Sequence, residues 1–267
     1  AVYLAREMGA STLLDALHDV GFSSLTRSPS HYGVGLALGN GEVQLLELAE
    51  AYAALARGGT RPTATAYTWI RTATGDTTHV TPPLPTPTQI APATAAQLTD
   101  MLSDAEARTP AFGAATPLQL PFPVAVKTGT SKDYRDNWTV GYTPAHTVVV
   151  WVGNFDGSPM QQVSGISGAG PIFHDVMRMV GSGGPVPPHA GLEEAPVCPA
   201  SGQQPGTHCP ITRTEQFQPG TVPTDTCSVH RRIKVDQRTG TRLYTAHPPK
   251  YHDWMRKEGL PIPPSTQ

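Results

Sequence analysis

The chain has 267 residues, a formal net charge of −2 and a pI near 6.6. That is enough for one large domain or two small ones, with no basic excess to suggest a nucleic-acid partner. Charged residues make up only 15%, and 26 glycines and 28 prolines mark a loop-rich chain that still has apolar content for a core. No apolar run approaches the roughly 18 residues that span a membrane, and no basic-then-apolar leader opens the chain.

Residues 1–60 read as helical. Ala1–Met8 already has helical character, so the chain is expected to begin inside a fold. Leu13, Leu14, Leu17 and Val20 recur at helical spacing, with Ser11 as N-cap and Gly21 as stop. The Gly-rich stretch His31–Gly41 reads as a packed loop, because it lacks the strand-to-helix context of a phosphate loop. Val43, Leu46, Ala49, Ala53 and Leu55 share a second helix that ends at Gly58-Gly59.

Residues 64–81 predict a hairpin turning at Thr74-Gly75-Asp76-Thr77. Pro82, Pro83, Pro85 and Pro87 then break regular structure, Thr94–Ser103 reads as a short helix, and Arg108–Leu120 as loop. Three consecutive antiparallel strands follow, over 122–131, 136–143 and 145–153. Ser164–Ala169 approaches a nucleophile-elbow pattern but lacks its last glycine and a leading strand, so it reads as a turn capping the last helix. That helix spans Gly168–Val180, with Ile172, Phe173, Val176 and Val180 assigned to one face.

The chemistry-bearing stretch is Pro121–Pro144, PFPVAVKTGTSKDYRDNWTVGYTP. A strand leads into Lys127-Thr128-Gly129-Thr130-Ser131, offering an edge for backbone pairing with an extended peptide. Lys127 brings positive charge for a carboxylate, the threonine hydroxyls bring donors, and Gly129 leaves room for a backbone to approach. The K-T-G triplet, the hydroxyl pair after it and the run to Trp138-Thr-Val-Gly-Tyr-Thr-Pro144 resemble the transpeptidase domain of bifunctional, class A penicillin-binding proteins, most of all the 1C type. Glu42–Ala56 resembles a core helix of the same domain.

The resemblance implies an α+β fold of the penicillin-binding protein/β-lactamase type: a mainly antiparallel sheet flanked by helices, with a loop-rich C-terminal extension. It implies a peptidoglycan D,D-transpeptidase that uses no cofactor, takes stem peptides and β-lactams as partners, and works at the periplasmic face of the bacterial inner membrane. Lys127 and Thr130 would be catalytic, and Lys127, Thr128, Gly129 and Thr130 would bind substrate, with the Thr130 N–H as half of an oxyanion hole. Strand alternation places Lys127 and Thr128 on opposite faces, so both reach a cleft only at an edge or a twist. A serine β-lactamase is disfavoured, since Arg135–Pro144 follows the transpeptidase pattern.

The family's other two motifs, S-x-x-K and S-x-N, do not occur in these residues. The chain is therefore expected to start just after the S-x-N position, without the membrane anchor, the glycosyltransferase domain and the nucleophile. The alternative is a non-catalytic wall-binding or assembly module that keeps a peptide groove.

The expected division is 1–181 for the transpeptidase part, 182–195 for a linker, and 196–267 for a Cys/Pro-rich segment leading to a further β-domain. Cys198, Cys209 and Cys227 all lie in that last segment, and their surroundings resemble the one following the transpeptidase domain in the 1C type. A periplasmic setting makes one disulfide and one free thiol the default and assigns no metal. A zinc site from Cys198, Cys209, Cys227 and His230 is the alternative: Cys227 and His230 have usable ligand spacing, while the other gaps fit no standard ribbon.

Overall fold

The computed structural model describes residues 1–184, 191–231 and 252–259. The chain divides into two units, Ala1–Glu193 and Glu194–Gln267.

The first unit opens with helices α1 (Val2–Met8), α2 (Ala10–Asp19) and α3 (Pro29–Tyr32), a 3-10 helix over Gly33–Leu38, and α4 (Leu45–Ala56). Leu14, Val20, Phe22, Leu25, Tyr32, Leu36 and Ala51 form one core cluster, with Leu13 and Leu17 packed beside it, as the helical spacing predicts. Two details differ from expectation. The cap of α2 is Gly9, not Ser11, and the Gly-rich stretch is helical rather than loop. Gly41 has to be small there, because a Cβ would stand 2.6 Å from a Leu25 methyl.

Short strands follow: β1 (Thr60–Arg61), β2 (Trp69–Arg71), β3 (Thr77–His79) and β4 (Thr86–Pro87). The predicted hairpin is β2–β3, with Arg71 opposite Thr77. Helix α5 (Pro92–Ser103) leads into α6 (Ala105–Phe112), whose residues 108–112 were expected to be loop. The Asp104 side chain accepts the Ala107 N–H and starts this helix, and Pro110 lies inside it.

The sheet consists of β5 (Ala125–Thr130), β6 (Asp136–Tyr142) and β7 (Thr147–Gly153) in that order, antiparallel throughout, as predicted. Helix α7 (Ala169–Val180) packs on β6 and β7 from one side, and α4 and α5 pack on the sheet through its other face. Val126, Phe173 and Met177 are buried together with Leu118, Leu120 and Val124, and Val148 and Val150 lean on them. Strand β7 is half-buried along its whole length. The face of α7 also differs from expectation. Its buried stripe is Ala169, Gly170, Phe173 and Met177, whereas Ile172, Val176 and Val180 are exposed. The small residues let the helix approach closely: a Cβ on Gly170 would already be 3.4 Å from Pro117.

The second unit has a two-stranded sheet, β8 (Glu193–Val197) with β9 (Arg213–Phe217), and helix α8 (His252–Lys257). Of the expected linker 182–195, residues 185–190 lie outside the described residues, and its last three positions are strand.

Candidate functional site

Strand β5 is the sheet's outer strand, paired with β6 alone among the described residues. Its polar end is set by alternation. Val126 sinks into the α7 cluster, and Thr128 and Thr130 share its face. Lys127 lies on the opposite face with Tyr142, the cross-strand partner of Ala125. That face carries α4 and α5: the Tyr142 hydroxyl is 2.8 Å from Thr99 Oγ1, and Tyr52 meets the Tyr142 ring edge-on at 6.3 Å. Burial, and then the neighbouring Tyr142, pushes the Tyr52 phenol up to about 12, so this tyrosine pair stays neutral around pH 7.

Hydrogen-bond phase decides which backbone groups of β5 are free. Ser131 N–H donates to Asp136 C=O at 2.9 Å, so the N–H groups of Thr130 and Thr128 point the other way, to the unpaired edge. The Lys127 ammonium donates to Thr128 C=O at 2.7 Å. That carbonyl shares the outward direction of its own N–H, so the charge sits along the free edge although Lys127 and Thr128 alternate faces. Gly129 has no fold-imposed need to be glycine: its φ is not positive, and a Cβ would meet nothing nearer than Trp138 Cβ at 3.4 Å. The space above Gly129 is therefore left open by a residue that packing does not dictate.

Thr130 is held from behind. Gly165 N–H donates to Thr130 Oγ1 at 2.9 Å, and Thr139 Oγ1 donates to Gly165 C=O at 2.9 Å. The bond uses one lone pair of the Thr130 hydroxyl and leaves its own O–H to be aimed elsewhere. Gly165 must be glycine here, since a Cβ would press into Gly129 O and stand 2.7 Å from Trp138 O. Sequence reading placed this glycine in a capping turn, which it is, but had no signal that the turn also grips the K-T-G strand.

Ser131 is the motif's one serine, and its hydroxyl is committed. It donates to Asp136 Oδ2 at 2.9 Å and accepts the Asp136 N–H at 2.8 Å. Asp136 Oδ1 accepts Trp151 Nε1–H at 3.0 Å, so one carboxylate locks the turn between β5 and β6 to β7. Asp133 and Tyr134, inside that turn, both take positive φ (59° and 57°), a conformation that such a lock helps to hold.

A second cluster lies in the second unit. Cys198, Cys209, Cys227 and His230 bring one ligand atom each to within 4.8 Å of one another. Cys198 Sγ is 3.5 Å from Cys227 Sγ, and His230 Nδ1 is 3.3 Å from Cys198 Sγ and 3.5 Å from Cys227 Sγ. All three cysteines are free, contrary to the expected disulfide. The Ser201 side chain, then the N–H groups of His230 and Val229, pull the Cys227 thiol down to about 5, and the neighbouring Cys227 thiolate raises His230.

Residues 1–178 match the family described as "Penicillin binding protein transpeptidase domain", and residues 188–232 match "Penicillin-binding protein 1A, C-terminal domain". Penicillin-binding protein 1A of Clostridium tetani is 34% identical over 116 residues, which are 40% of this chain and 15% of that protein. Penicillin-binding protein 1C of Escherichia coli is 36% identical over 58 residues, 22% of this chain and 8% of that protein. The chain thus spans only a minor part of the curated relatives it matches. Among solved structures, penicillin-binding protein 1A from Haemophilus influenzae superposes with a TM-score of 0.66 at 16% identity, covering 84% of this chain and 39% of that one. That likeness is one of fold.

Proposed function

The chain belongs to the penicillin-binding protein transpeptidase family, and from that premise we propose that it carries the K-T-G wall of a peptidoglycan D,D-transpeptidase site. The observation that carries the reading is the free edge of β5, where an ammonium, outward N–H groups and an uncrowded glycine lie side by side. An extended D-Ala-D-Ala stem peptide would pair with that edge as an added strand. Its terminal carboxylate would meet the Lys127 charge and the Thr128 and Thr130 hydroxyls. The Thr130 N–H, directed outward, would donate to the carbonyl oxygen as negative charge develops there.

The reaction is acyl transfer. A serine oxygen attacks the penultimate D-Ala carbonyl, the peptide bond breaks, and the terminal D-Ala departs with the serine's proton. The amine of a neighbouring stem peptide then takes the acyl group and returns a proton to the serine. A β-lactam would follow the first half, its ring amide standing in for the peptide bond. The attacking serine is not Ser131, whose hydroxyl is bound to Asp136 and has no lysine three residues on. A serine in an S-x-x-K motif and its S-x-N companion, on sequence other than these 267 residues, would complete the cleft opposite Lys127. The reaction would take place at the periplasmic face of the inner membrane; no helix among the described residues is long and apolar enough to cross one.

Labelling with a fluorescent penicillin tests the reading. The 267 residues alone should give no covalent adduct after denaturation, whereas a longer gene product that includes S-x-x-K and S-x-N should be labelled stoichiometrically. A labelled 28.3 kDa band from the short chain would mean that these residues contain a nucleophile after all. An unlabelled long product would favour a peptide-binding module without catalysis.

A further inference from the structure

The described residues of the second unit have little apolar core with which to hold themselves together. Its described buried apolar residues are Ala195, Val197, Cys198 and Met255, on one short sheet and one short helix. A segment of that size needs a staple, either a disulfide or a metal. We propose that Cys198, Cys209, Cys227 and His230 form a tetrahedral structural zinc site, in place of the metal-free disulfide segment that the family resemblance implied.

Geometry separates the two staples. A disulfide brings two sulfurs to about 2.05 Å and ignores the other groups. A tetrahedral zinc with Zn–S of about 2.3 Å and Zn–N of about 2.05 Å spaces its ligands by about 3.8 Å for S···S and 3.6 Å for S···N. The three separations here, 3.5 Å between the Cys198 and Cys227 sulfurs and 3.3 and 3.5 Å from these to His230 Nδ1, lie close to those tetrahedral edges. The Cys209 sulfur completes the group within the same 4.8 Å.

The backbone is shaped around the sulfurs. The N–H groups of Ser201 and Gly202 both fold back on Cys198 C=O, at 3.2 and 2.8 Å, with Gly202 at φ +68°. Cys209 N–H donates to Gly206 C=O at 3.0 Å while Gly206 N–H donates to Cys209 Sγ at 3.3 Å. The third and fourth ligands are brought in by a parallel bridge: Gln204 N–H donates to Asp225 C=O at 2.9 Å, and Cys227 N–H to Gln204 C=O at 2.8 Å. Tight turns with N–H donors on sulfur favour thiolates, the form that binds metal. Three sulfurs and one imidazole suit zinc in a closed, four-coordinate site, with no open position for catalysis. Binding is proton-balanced: the ion enters as Zn²⁺, the protons still held by the three sulfurs and by His230 are released, and neutral His230 donates through Nδ1 beside three thiolates, leaving a site of net charge −1.

The test uses the whole 267-residue chain, purified without chelator. One zinc per chain is expected, with all three thiols masked from a chromogenic disulfide reagent; chelator should then release the zinc and expose three thiols without any reductant. Cobalt loading should give a thiolate charge-transfer band and the intense visible bands of a tetrahedral site. Cys209→Ser and His230→Ala should each weaken metal retention beyond the roughly 10–100-fold that an outer partner commands, whereas His230→Cys should retain zinc. Because a variant can fail to fold, the unaltered chain is also counted in denaturant. No zinc, with one thiol before reduction and three after, establishes the disulfide and overturns the site. Unchanged zinc retention in both Cys209→Ser and His230→Ala would overturn the four-ligand assignment.

Discussion

Lys127 is exposed on a strand whose apolar residues lie behind it, so its charge can be removed without opening the core. Its ammonium touches only Thr128 C=O among the bonds described, on the free edge of β5. In a complete enzyme with all three motifs, Lys127→Ala should therefore slow penicillin acylation while leaving thermal unfolding in place. A hydrogen bond to a charged group contributes about 1.5–3 kcal/mol, or roughly one to two decades in rate. Stopped-flow acylation checks this, and equal rates in mutant and parent would remove Lys127 from the site. At this scale Lys127, Thr128, Gly129 and Thr130 could be proposed from the sequence because their chemistry is written in consecutive letters. Gly165 and Asp136 could not, because what matters about them is where they land: one beneath Thr130, the other between Ser131 and Trp151.

Helix α4 shows how an element is pinned by one residue. Glu47, only 9% exposed, accepts the Ser23 hydroxyl at 2.6 Å, both the N–H and the hydroxyl of Ser24, and the Gln44 N–H at 3.4 Å. Burial alone would raise its pKa, but the hydrogen bonds from Ser23, Ser24 and Gln44 outweigh it and hold the carboxyl below its ordinary value. The sign follows from that depression. The contribution is fully present above the unfolded value of about 4.3 and is lost as pH falls through the lower folded value. Glu47→Gln should lower the stability of the chain by about 1–3 kcal/mol at pH 7 and by much less near pH 3; urea melts at the two pH values measure it, and an equal loss at both would contradict the account. Elements were legible where polarity repeats along the chain, as in α2 and β5–β7. The face of α7 was misread because apolarity marks Ile172 and Val176 while closeness of approach is set by Ala169 and Gly170. For the Cys/His group the sequence reading favoured a disulfide over zinc because its spacing is irregular, and a long-range bridge between Gln204 and Thr226, which the sequence does not announce, closes it.

At the scale of the whole molecule, several large apolar side chains among the described residues lie open to solvent. Tyr3 and Leu4 on α1 are 69% and 62% exposed, Leu46 on α4 55%, Met101 on α5 59%, and Phe155 after β7 fully. Scattered exposed hydrophobes are ordinary, but Val2, Tyr3 and Leu4 are adjacent in one helix, and Leu45 and Leu46 in another. Against this stand a formal net charge of −2 and 15% charged residues. Near the pI of about 6.6 electrostatic repulsion between copies is close to nil, so apolar attraction goes unopposed. The 267-residue chain should therefore self-associate most strongly around pH 6.6 and less as the pH moves away on either side. Raising salt at pH 9 should restore association by screening the charge that suppresses it. Light scattering across pH and ionic strength tests this, together with Leu4→Glu and Leu46→Glu, which should reduce association without changing the fold. A chain that stays monomeric from pH 5 to 9 at every salt concentration would mean that these apolar side chains are too dispersed to act as one surface.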